Sequence, residues 1–195
     1  HIALVQAAIT ALSAACPQDT SSDDKATAPP VVFEIAAVNA DKPPLSVEEI
    51  SRRVRDIADS PLLSQAGLTN VALCITSQPL FASKSKLFPN CTFVMGADTL
   101  SRLLDTKYYD NCRDTMIATL TGMLGTEEHG SDKSPMPEVV VGGRVEKTGE
   151  FTTCESLLEK AALPKCMCQK FLGMPESLFR CDISSTEIRN RKSVS

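Results

Sequence analysis

The chain has 195 residues, of which 43% are hydrophobic and 23% charged, and carries a formal net charge of −4 at neutral pH. These proportions suit one soluble globular domain long enough to bury a core. The acidic balance argues against a surface that wraps nucleic acid but leaves room for a small anionic ligand. Trp is absent and aromatic residues make up only 5%, so broad stacking platforms are scarce.

The first predicted element is a helix over about 2–15, where Ile2, Leu4, Val5, Ala8, Ile9 and Leu12 recur at three- and four-residue spacing. That spacing describes an amphipathic helix and not a membrane span. The stretch lacks the basic leader of a signal peptide, and the chain does not open on Met, so an upstream segment is expected. A polar loop (PQDTSSDDKATAPP) leads to the run from Val31 to Val38, read as a buried strand. Beyond Asn39-Ala40-Asp41-Lys42-Pro43-Pro44-Leu45, Ser46 and Glu49 stand in capping-box register and start a helix.

Two short strands are predicted near 71–75 and 92–95, flanking a loop that opens Thr76-Ser77-Gln78-Pro79. A helix begins near Asp98 and another spans 110–124, followed by a Gly/Ser/Asp-rich loop over roughly 125–136. The strand Glu138-Val139-Val140-Val141 ends in Gly142-Gly143-Arg144, and helical segments close the chain. No repeat is visible. Alternating strands and helices imply an α/β fold with a parallel sheet and helices on both faces. In such folds the ligand lies at the carboxyl ends of the strands. Polar residues duly follow them: Asn39 to Lys42, Gly96-Ala97-Asp98 and Gly142-Gly143-Arg144.

The eight cysteines form no C-x-x-C pair, and His1 and His129 are the only imidazoles. A tetrahedral zinc site is therefore not expected. Cysteines in apolar runs, such as Cys74, read as small core residues in a reducing compartment, which points to the cytoplasm.

Near the end stands Asp182-Ile183-Ser184-Ser185-Thr186-Glu187-Ile188-Arg189. Ser184 and Glu187 fit a capping box, but a cap needs one hydroxyl and here there are three. Arg189 lies one helical turn after Ser185, on the same face. Free backbone N–H groups, hydroxyls and a guanidinium together suit a phosphate chain.

A helix-leading His1, the Gly96-Ala97-Asp98 corner and Ile183-Ser184-Ser185-Thr186-Glu187-Ile188-Arg189, in that order, resemble the nucleotidyltransferase superfamily. That superfamily includes the nicotinate and nicotinamide mononucleotide adenylyltransferases. Its first strand runs into a G-x-F-x-P-x-H-x-G-H loop, and His1-Ile2-Ala3-Leu4-Val5 is similar to the segment from the last His onward. The resemblance covers nearly the whole chain and implies one Rossmann-like nucleotidyltransferase domain over 1–195, its first strand missing from the sequence. FEIAAVNADKPPL and LFPNCTFVMGADTLSRLLDTKYY are similar to a eukaryotic cytidylyltransferase-like branch, in which some members follow an amidohydrolase-like domain. An upstream domain is thus a further possibility.

By this resemblance, His1 and Arg189 serve the transferring phosphates, and Gly96 and Asp98 contact the nucleotide. Ser184, Ser185, Thr186 and Arg189 hold the β- and γ-phosphates, while Asn39 and Lys42 face the acceptor. Mg²⁺ is held mainly through the triphosphate and water, so no carboxylate cage is expected. The implied partners are ATP or CTP and a phosphorylated small-molecule acceptor, with no nucleic acid and no membrane; a homo-oligomer stays open. AMP transfer from ATP to nicotinate or nicotinamide mononucleotide is the first reading. The alternatives are cytidylyl transfer to another phosphorylated acceptor, a non-catalytic nucleotide-binding module, and a structural domain whose hydroxyls only cap a helix.

Each residue also has a plainer reading. His1 could be a frayed end, Asp98 an N-cap, Lys42 a solvated loop charge, and Lys84 and Lys86 a surface pair. His129 reads as solvent-facing, Tyr108-Tyr109 as helix-end packing, and Arg144 as a weaker candidate than Arg189. The chain also lacks the Trp and the Tyr-Thr signature that often accompany the nicotinyl ring in this superfamily, so the acceptor stays open.

Overall fold

Short runs rich in Val, Ile and Phe give parallel strands, and the segments between them give helices, in the computed structural model. It describes residues 1–15, 29–125, 137–146 and 148–180. The chain divides into two compact units, one drawn from His1–Gln6 and Pro17–Cys91, the other from Ala7–Cys16 and Thr92–Ser195. The division falls within helix α1 (Ile2–Ala15). The amphipathic helix expected there is present: Ala7, Ala8 and Ala11 are buried, and Ile2, Leu4, Val5, Ile9 and Leu12 are partly covered.

In the first unit, β1 (Val31–Ala36) leads through α2 (Val47–Ala58) and α3 (Pro61–Gln65) to β2 (Val71–Thr76). The strands pair in parallel, from Val31 opposite Val71 to Ala36 opposite Thr76. This is the strand–helix–strand crossover that parallel pairing demands. The capping box at α2 is realised: the Glu49 N–H donates to Ser46 Oγ at 3.2 Å. Glu49 then anchors the exposed face of the helix, pairing with Arg52 at 2.9 Å and Arg53 at 2.7 Å. A Pro at the first position starts α3.

Three expectations are corrected in this unit. The strand predicted to Val38 stops at Ala36, because the Leu45 N–H returns to the Ala37 carbonyl at 2.8 Å and turns the chain. The stretch after Thr76, expected as loop, contains a helix, α4 (Phe81–Leu87). Its start has no side-chain cap, and its Ser and Lys residues give no helical stripe. Lys84, expected at the surface with Lys86, is buried with 7% exposure, whereas Lys86 is exposed.

In the second unit β3 (Phe93–Gly96) is followed by α5 (Ala97–Leu103), a 3₁₀ turn and α6 (Arg113–Leu124). Next come β4 (Val139–Gly142), the strands β5 (Arg144–Val145) and β6 (Phe151–Thr152), α7 (Cys154–Lys160), α8 (Lys165–Cys168) and β7 (Phe171–Met174). The order β3-β4-β7 is parallel throughout, while β5 and β6 form an antiparallel hairpin. Val139, Val140 and Val141 of the central strand are all fully buried, as an apolar run between two parallel neighbours should be. Helix α5 packs on β3, β4 and α7, and α7 also packs on β7. Leu100, Met116, Leu120 and Leu124 complete the core.

Two further corrections belong here. The 110–124 helix starts only at Arg113, since Asp110 and Asn111 both have φ of 55°. Gly125, at φ 61°, ends it. The closing segments are not all helical: β7 is a strand that pairs along its whole length with β4. Its Gly173 is where α7 closes on the sheet, for a Cβ there would meet the Cys154 Cβ at 3.0 Å. Tyr109 serves helix-end packing: its buried hydroxyl donates to the Leu103 carbonyl at 2.8 Å.

The architecture is thus α/β with parallel sheets, divided among a two-stranded and a three-stranded sheet and the hairpin. Among the described residues no helix is long and apolar enough to cross a membrane. Cys74, Cys91, Cys112, Cys154, Cys166 and Cys168 are free thiols; Cys154 is buried and Cys74 partly covered.

Candidate functional site

The carboxyl edge of the three-stranded sheet gathers the chemistry of the second unit. Gly96 ends β3 and lies in register with Gly142, which ends β4; Met174 lies beside Gly142 at the end of β7. Two residues beyond Gly96 stands Asp98, in the first turn of α5, and two beyond Gly142 stands Arg144. Neighbouring parallel strands therefore deliver a carboxylate and a guanidinium to the same place. Arg144 Nη1 donates to both Asp98 carboxylate oxygens, each at 2.5 Å. Arg144 Nε lies 3.8 Å from Glu146 Oε1, which in turn accepts from the Thr152 hydroxyl at 3.2 Å.

The backbone fixes where Arg144 starts. Gly143 has no space for a side chain: a Cβ would collide with the Phe151 ring and lie 2.8 Å from the Thr152 carbonyl. The hairpin thus packs directly on the chain before Arg144, whose own position pairs with Thr152. The Arg144 side chain is 20% exposed and that of Asp98 58%. The cap position of α5 is Gly96, so Asp98 is not its N-cap.

Gly96 differs from Gly143. Its backbone, at φ −87° and ψ 164°, suits any residue, and a Cβ there would meet nothing within 4 Å.

The first unit holds His1, Asn39 and Lys42. His1 is exposed, and its carbonyl accepts from the Val5 N–H at 3.0 Å as α1 begins. The Asn39 side-chain oxygen accepts from the Asp41 N–H at 3.0 Å, forming an Asx turn after β1, and Asn39 bridges Lys42 across that turn. Both are exposed. Ser184, Ser185, Thr186 and Arg189 lie outside the described residues, as does His129. Among the described residues, no group of three or more His, Cys, Asp or Glu could hold a metal ion.

The sequence reading missed a polar cluster in the first unit. Lys84 Nζ lies 2.9 Å from Glu34 Oε2 and 5.3 Å from the centre of the Phe81 ring, and the Thr76 hydroxyl donates to Glu34 Oε1. The available signal was Glu34 itself, a charge inside an otherwise apolar run. A buried charge needs a partner, and that partner lies fifty residues away in sequence. Arg144 was undervalued for a related reason: nothing local announces that it meets Asp98. Compared with protein-family models, curated proteins and solved structures, the chain matches none.

Proposed function

We propose that the chain is a Rossmann-like, cytoplasmic nucleotidyltransferase domain that transfers AMP from ATP to a phosphorylated acceptor such as nicotinate or nicotinamide mononucleotide. The resemblance of Gly96-Ala97-Asp98 and Ile183–Arg189 to that superfamily motivates the reading. The observation that carries it is Gly96, which neither backbone conformation nor packing requires to be glycine. At the carboxyl end of a parallel strand, a bare backbone without internal cause suits close approach by a ligand.

The acceptor's phosphate oxygen attacks the α-phosphorus of the triphosphate as the bond to the bridging oxygen breaks, and pyrophosphate leaves. No covalent enzyme intermediate forms, so the protein's work is positioning and charge stabilisation. In this reading Asp98 accepts from the nucleotide's sugar or base and His1 donates to phosphate oxygens. Ser184, Ser185, Thr186 and Arg189 hold the β- and γ-phosphates, and Asn39 and Lys42 meet the acceptor. Mg²⁺, carried by the triphosphate and water, supplies charge neutralisation.

The test combines pyrophosphate release, with Mg²⁺ and ATP or CTP, and nucleotide titration of Gly96→Ala. The variant should melt as the parent does, within about 0.5 kcal/mol, yet bind ATP about tenfold or more weakly, the cost of a lost close contact. Unchanged ATP affinity in the variant, or no binding of ATP or CTP by the parent, would sink the reading. Turnover with CTP in place of ATP would select the cytidylyl alternative; because the resemblance places the first strand and its phosphate loop ahead of His1, binding without turnover selects a non-catalytic module only when measured on a chain that carries that loop.

A further inference from the structure

We propose that the Arg144–Asp98 ion pair is an internal stand-in for the nucleotide, and that Arg144 is the guanidinium that takes a ligand phosphate once Asp98 lets go. The inference rests on reading the Gly96–Asp98 corner as nucleotide-binding and adds a residue and an exchange to it.

The two halves of the pair differ in how they are held. Arg144 springs from a hairpin packed onto Gly143 and is largely covered at 20% exposure; Asp98, at 58%, stands out on the first turn of α5. The guanidinium is therefore the fixed partner and the carboxylate the movable one. Asp98 engages a single nitrogen, Nη1, with both oxygens. It does not span two guanidinium nitrogens, the arrangement that makes arginine pairs with carboxylates and phosphates strongest.

Charge explains why an exchange is needed. Asp98 and Glu146 both face Arg144, so two carboxylates already stand beside the guanidinium that a phosphate would have to reach. A polyphosphate is repelled until Asp98 swings away. A ligand bearing hydroxyls as well as phosphate gives the displaced carboxylate new donors, whereas inorganic polyphosphate offers it none. The pair thereby favours a nucleotide over a bare phosphate chain, a selection made by the cost of leaving a group unpaired.

The experiment is calorimetric titration of the chain and its Asp98→Asn, Arg144→Lys and Arg144→Gln variants with inorganic tripolyphosphate and, separately, ATP. Asp98→Asn should bind tripolyphosphate about three- to tenfold more tightly, the span expected for removing a part-exposed ion pair and a nearby like charge. Arg144→Gln should weaken both ligands by about tenfold or more, as loss of a charge-assisted hydrogen bond does, with Arg144→Lys between. Thermal melts check folding, and the glutamine keeps hydrogen-bonding capacity should a smaller residue unfold the hairpin. Tripolyphosphate bound no more tightly by Asp98→Asn than by the parent overturns the proposal, as does parent-like binding by folded Arg144→Gln. ATP binding that is indifferent to Arg144 leaves the nucleotide reading standing and removes the exchange. The expected tripolyphosphate pattern without ATP or CTP binding does the reverse, and no binding by parent or Asp98→Asn removes both.

Discussion

Lys84→Met isolates the energetics of the buried pair in the first unit, because methionine keeps the apolar stem and deletes only the ammonium. The side chain of Lys84 is 8% exposed and that of Glu34 23%. Breaking a buried pair costs about 3–5 kcal/mol, since one charge is left uncompensated. Here Glu34 retains the Thr76 hydroxyl as a donor and some contact with water. The cost of Lys84→Met therefore falls to about 2–3 kcal/mol. Glu34→Gln removes the charge opposite the more deeply covered ammonium and leaves it beside the Phe81 ring, so it should cost about 3–4 kcal/mol. Together the two should be less damaging than their sum by at least about 1 kcal/mol, because the double variant leaves no unmatched charge. Urea unfolding read by circular dichroism and fluorescence, extrapolated linearly to water, measures all three. A loss below about 0.5 kcal/mol for Lys84→Met, or Glu34→Gln milder than Lys84→Met, would refute the argument that burial sets these costs.

Three other predictions follow from single geometries. Ala162 has φ of 48° just past α7, where its N–H bonds to the Glu159 carbonyl at 2.9 Å and the Leu163 N–H to the Leu158 carbonyl at 3.4 Å, a helix ending that favours glycine; Ala162→Gly should raise stability by about 0.5–1 kcal/mol in urea unfolding, and a loss would contradict the assignment. Hydrogen bonds from Arg52, and then from Arg53, hold the Glu49 carboxyl down to about 2 from its ordinary 4.5. Its stabilisation of the fold is thus fully present above the ordinary value and lost as pH falls from there towards 2; Glu49→Gln should flatten that part of an acid titration of stability, modestly because the pair faces solvent. Burial pushes the Cys154 thiol up to about 12 and leaves it 2% exposed, whereas Cys91 and Cys166 are exposed. Iodoacetamide near neutral pH should modify the latter two quickly and Cys154 only as fast as the structure opens, so equal rates by mass spectrometry would count against the packing of α7.

The amino-acid sequence by itself determined the elements whose signals are local. The Ser46–Glu49 cap, the three-and-four spacing of α1, the valine run of β4 and the polar corners after β3 and β4 all act over a few residues, where dihedral preference and periodicity decide. The tertiary structure decided what depends on distant partners. FLGM became a strand by pairing with the valine run, and Lys84 of the FASKSKL helix went inside to meet Glu34. Asp98 likewise found Arg144 because two adjacent parallel strands end together. The physical reason is that pairing and burial energies belong to contacts between segments, and a run of letters states its own preferences but not its neighbours.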